Sequence, residues 1–88
     1  MNKKVTVNLN AIQKVKDFVN IIDKFESDVD IEQGKYVINA KSIMAIFSLN
    51  LLESMVVKID SENKEEIKSF NRVMEGFKVE TYNNKSTN

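Results

Sequence analysis

The stretch Ala40-Lys41-Ser42-Ile43-Met44-Ala45-Ile46-Phe47-Ser48-Leu49 decides how this chain is read. Ser42 has the character of a helix N-cap, a hydroxyl ready to accept from the free N–H groups of a first turn. The residues after it predict a short helix, about two turns long. Its apolar residues Ile43, Met44, Ile46, Phe47 and Leu49 cover more than one face, so a small core cannot bury them all and some are expected at the surface. Two of Ile43, Met44 and Phe47 are expected to be exposed.

Working outward, the segment before this helix is extended. Val29 and Ile31 alternate with Asp28, Asp30 and Glu32, and Tyr36-Val37-Ile38 resumes the pattern after Gly34, which predicts a hairpin centred on Gln33-Gly34. Further back, Val5, Val7 and Leu9 alternate as one face of a strand. The period then changes. Ile12, Val15, Phe18, Val19, Ile22 and Phe25 recur at helical spacing, giving a first helix from about Ala11 to about Phe25 with Asn10 as its N-cap. Beyond the opening stretch, Met55-Val56-Val57-Lys58-Ile59 is β-branched and strand-like, ending at Asp60-Ser61. Ile67, Phe70, Val73, Met74 and Phe77 mark a third helix from about Asn63 to near Gly76. One domain over residues 1–80 is expected, with 81–88 a disordered polar tail.

The order strand, helix, strand, strand, helix, strand, helix is that of an α+β open-faced sandwich, a four-stranded, mainly antiparallel sheet with three helices on one face. An antiparallel sheet leaves its other face wet, which accounts for the alternating strands.

Composition narrows the function. Thirteen basic and thirteen acidic residues cancel over 88 positions, and Arg72 is the only arginine, so nothing draws the chain to nucleic acid or an anionic membrane. There is no cysteine and no histidine, which removes disulfides, thiolate nucleophiles, imidazole chemistry and zinc sites of the Cys or His type. No metal or cofactor is expected. No apolar run approaches the roughly 20 residues of a membrane span, and a cytoplasmic protein, not an enzyme, is expected.

Asn39-Ala40-Lys41-Ser42-Ile43-Met44, with Phe47-Ser48-Leu49 behind it and the hairpin through Gly34 before it, resembles HPr, the histidine-containing phosphocarrier of the bacterial sugar phosphotransferase system. The resemblance covers the chain from about Lys4 to Phe77. It implies the HPr-like sandwich, and it sets Ser42 at the family's regulatory serine, the target of HPr kinase/phosphorylase. It also implies a docking surface formed by Lys41, Ile43, Met44 and Phe47. In the family, the serine-phosphorylated form binds a CcpA-type transcription regulator in carbon catabolite repression. The other family motif, Gly-Ile-His-Ala-Arg-Pro-Ala, falls on Leu9-Asn10-Ala11-Ile12-Gln13-Lys14-Val15, with Ala11 at the histidine position. Asn10, Gln13 and Lys14 replace only part of the lost anion binding. Catabolite-repression paralogues of the family combine the same two features, a missing histidine and a retained serine, although they keep more of the motif.

Three readings follow. The first is a non-catalytic regulatory or binding protein switched at Ser42. The second is a phosphotransferase-system carrier with some other acceptor. The third is an HPr-fold assembly module that uses an exposed strand or its apolar helix.

Overall fold

The computed structural model describes residues 2–79, so the tail expected over 81–88 lies outside the described residues. The elements run β1 (Lys4–Val7), α1 (Ile12–Ile22), β2 (Asp28–Gln33), β3 (Tyr36–Asn39), α2 (Ile43–Phe47), β4 (Met55–Asp60) and α3 (Lys64–Met74). Every strand pair is antiparallel, and the sheet order is β1-β4-β2-β3. The β4 strand therefore inserts between β1 and the β2–β3 hairpin, and the three helices return the chain to the same face.

Period-two alternation puts Val5 and Val7 of β1, Val29 and Ile31 of β2, and Met55, Val57 and Ile59 of β4 on the inner face, where all are buried. Val15, Phe18 and Ile22 close over them from α1, Ile46 from α2, and Ile67, Phe70 and Met74 from α3. Two edge-to-face aromatic pairs join α1 and the loop after it to α3 and the residues that follow: Phe18 on Phe77 at 5.6 Å and Phe25 on Phe70 at 6.2 Å between centroids. The hairpin turns where the sequence predicts, with Gly34 at φ 59°, in the left-handed region that a side chain disfavours.

Several local expectations are corrected. The first helix starts at Ile12 and ends at Ile22, because Asp23 to Phe25 leave the regular pattern through tightened i→i+3 bonds, Lys24 to Ile21 and Phe25 to Ile22. Its N-cap is Ala11, which has no side-chain bond to offer, so Asn10 does not cap it. Ile12 fits the apolar spacing but is 63% exposed, since it lies on the first turn, beyond the reach of the sheet. The first strand stops at Val7, although Leu9 remains fully buried. The second helix is five residues long, shorter than two turns.

The two sheet edges differ. Outside β1 the chain returns as an antiparallel bridge from Val7 to Lys78, with Asn8 donating to the Phe77 carbonyl at 2.9 Å and Val79 donating to Thr6 at 3.2 Å. Among the described residues nothing pairs with the outer side of β3.

Candidate functional site

Two helix starts are the places where the sequence suggests chemistry. At α1, Ala11 is extended (φ −146°, ψ 146°) and exposed, and among the described residues no side chain accepts from the first-turn N–H groups. Ala11 presents a methyl group, which has neither lone pair nor proton to give. The side-chain amide of Gln13 donates to Asp17 Oδ1 at 2.9 Å, so it lies along the helix and not over its open end. Asn10 and Lys14 are exposed. An anion here has the free N–H groups and the positive end of the helix dipole for company, with no nucleophile beside them.

At α2, a series of local bonds shapes the turn. Asn39 Oδ1 accepts from the Lys41 N–H at 2.8 Å, and the Asn39 carbonyl accepts from the Ser42 N–H at 3.1 Å. Ala40, fully buried, anchors this turn to the core and donates its N–H to Val29. Ser42 is the N-cap expected from sequence: its Oγ accepts from the Ala45 N–H at 3.3 Å. Next to it, Ile43 is half-buried against the core, Ile46 is fully buried, and Met44 and Phe47 are 76% and 38% exposed. Two of the three candidate docking side chains therefore face outward.

Lys41, expected in the docking surface, makes a contact within the fold. Its ammonium donates to the Phe25 carbonyl at 2.5 Å, tying the start of α2 to the middle of the α1–β2 connection. Packing of α1 against α2 brings that carbonyl within reach, a contact 16 residues away in sequence.

Glu66 was not legible at all. The backbone N–H groups of Glu26 and Ser27 donate to Glu66 Oε2 at 3.2 and 3.1 Å, and the Ser27 hydroxyl donates to Oε1. Chiefly through that hydroxyl, with help from Ser61 and the two N–H groups, the carboxyl is held below its ordinary range. The sign follows. A depressed carboxyl stabilises the fold above its unfolded value, about 4.3, and that contribution is lost as pH falls through the lower, folded value. We expect the melting temperature of the parent to fall more steeply below about pH 4.3 than that of Glu66→Gln. Parallel melting curves over that range would remove Glu66 as the clamp.

Among the described residues no group of acidic, histidine or cysteine side chains can hold a metal ion, and no helix is long and apolar enough to cross a membrane.

A family model for the PTS HPr component phosphorylation site matches residues 3–78. Among solved structures, HPr-C-His from Thermoanaerobacter tengcongensis is 26% identical, with a TM-score of 0.67 over 85% of this chain and 93% of that one. The phosphocarrier protein HPr from Bacillus anthracis str. Ames is 28% identical, with a TM-score of 0.58 over 77% and 87%. A histidine-containing phosphocarrier protein from Mycoplasma, at 16% identity and a TM-score of 0.61 over 81% and 90%, shares the fold.

Proposed function

Since this chain belongs to the HPr family of the phosphotransferase system, we propose that it is a non-catalytic regulatory or binding member, phosphorylated on Ser42 and docking protein partners through α2. The observation that carries this reading is the contrast between the two helix starts. The α1 start offers only the methyl of Ala11, in a chain with no histidine, whereas the α2 start holds a serine hydroxyl beside exposed Met44 and Phe47.

A serine needs only to be presented to a kinase, unlike an imidazole, which must itself accept and pass on a phosphoryl group. Ser42 Oγ sits at the surface end of a helix, where a phosphoryl group meets first-turn N–H donors. There it adds about two negative charges beside an apolar patch, which changes the partners that patch accepts. Ile43, Met44 and Phe47 are the contact residues of this reading, with Lys41 acting as a tether for the loop at Phe25. By family kinship the expected partners are HPr kinase/phosphorylase and a CcpA-type regulator.

The test is the intact mass after incubation with HPr kinase/phosphorylase and ATP. The parent is expected to gain one phosphoryl group and Ser42→Ala none. The alanine variant also loses the cap bond, at about 1 kcal/mol, a loss small enough to leave it folded. An unlabelled parent beside a fully labelled histidine-bearing HPr would reduce Ser42 to a helix cap.

A further inference from the structure

Among the described residues, five of the six large apolar side chains most exposed to solvent, Tyr36, Val37, Met44, Phe47 and Leu52, fall between β3 and the loop after α2 in the sequence. Tyr36 and Val37 belong to the one sheet edge that nothing among the described residues covers. From this juxtaposition we propose that a second copy of this chain pairs with it antiparallel along β3, joining two four-stranded sheets into one of eight strands. This inference stands apart from the phosphorylation of Ser42 and does not depend on it.

The strand offers its backbone for such pairing. The hairpin closes with Gln33 opposite Tyr36 across a two-residue turn, so in the antiparallel alternation Tyr36 and Ile38 direct their N–H and C=O groups to β2. Those of Val37 point away, to the open edge. Exposed edges are usually guarded by a lysine, proline or bulge within the strand, and Tyr36-Val37-Ile38-Asn39 has none. With Val37 opposite the partner's Val37, Tyr36 faces the partner's Ile38 and Lys35 faces the partner's Asn39. No like charges oppose one another.

The side chains favour a second copy over an unrelated strand. Ile38 pairs with buried Ile31, so by alternation Ile38 and Tyr36 lie on the helix-covered face, yet Tyr36 is 61% exposed. Beside it a groove of about 620 Å³ runs between β3 and the end of α2, lined in part by Tyr36, Ile38 and Leu49. The core is thus unfinished along this edge. A two-fold axis perpendicular to the sheet keeps both helix layers on one side, and α2 packs next to β3. The two α2 helices then flank the junction and cover Tyr36 of both copies. A lone extended segment supplies no such cover.

So short a strand belongs to the low end of interface sizes, below about 1,200 Å² in total, and dissociation in the micromolar to millimolar range is expected. Sedimentation of the full chain from about 10 μM to about 1 mM is the test. Its mass is expected to rise from 10.1 kDa toward twice that value, while Val37→Lys remains at 10.1 kDa. Val37 is 63% exposed, so the substitution leaves the fold in place. As a reading that needs no variant, the Val37 amide should gain at least about twofold protection from hydrogen exchange at the upper concentration. A parent that stays monomeric at about 1 mM overturns the proposal and leaves the edge to an extended segment of another protein. A dimer that survives Val37→Lys, or one with an unprotected Val37 amide, overturns it as well.

Discussion

Phosphoenolpyruvate and Enzyme I are expected to leave no acid-labile phosphoryl group on this protein, under conditions that label a histidine-bearing HPr completely. A carrier needs a nitrogen lone pair that can take a phosphoryl group and release it again, held beside anion-binding donors. The donors are present at the start of α1, where the first-turn N–H groups have no side-chain partner among the described residues. The lone pair is not. Ala11 stands at the N-cap with a methyl group, and the chain contains no histidine at any position. The amide nitrogen of Asn10 is delocalised, the Gln13 amide is engaged with Asp17, and an ammonium such as that of Lys14 is a donor without an acceptor site. The expected difference is therefore all or none. Label that appears and is lost in acid would mean that another nitrogen serves, and the carrier reading would replace the regulatory one.

Phe18→Ala is expected to cost about 3–5 kcal/mol, and Ile12→Ala less than about 0.5 kcal/mol, although both belong to the same apolar stripe in the sequence. Phe18 is fully buried and meets Phe77 edge to face, so truncation opens a cavity between α1 and the segment that follows α3. A chain of 88 residues has a total stability of about 4–13 kcal/mol, so this loss takes most or all of the fold at the lower figure. Ile12 is largely in water already. The urea midpoints of the two variants decide the matter, and equal losses would mean that burial does not govern this helix.

Phe18 and Ile12 also show where reading by periodicity stops. Spacings of three and four place both on one side of a helix, but how far the sheet extends beneath the first turn is not a property of the helix. Asn10 is a similar case. Its side chain suits a cap, yet the chain begins to coil one residue later. Ser42 and Asn63 do cap the helices they precede, with Oγ and Oδ1 accepting from N–H groups three residues on. Caps, turns and alternation are decided within about four residues, which is why the Ser42 cap was legible and why the hairpin at Gly34 fell where expected.

The sequence by itself determined the order of the seven elements, the antiparallel sandwich they form, and the absence of any imidazole to carry phosphate. Tertiary structure alone decided that Lys41 reaches the Phe25 carbonyl, that Glu66 fastens Ser27 from 39 residues away, and that one sheet edge is closed by residues 77–79 while β3 stays open. The division follows the range of the forces involved. Backbone propensity and side-chain period act between near neighbours, whereas a long-range hydrogen bond or a free strand edge exists only once the core has brought distant segments together and burial has offset the entropy of closing the loops between them.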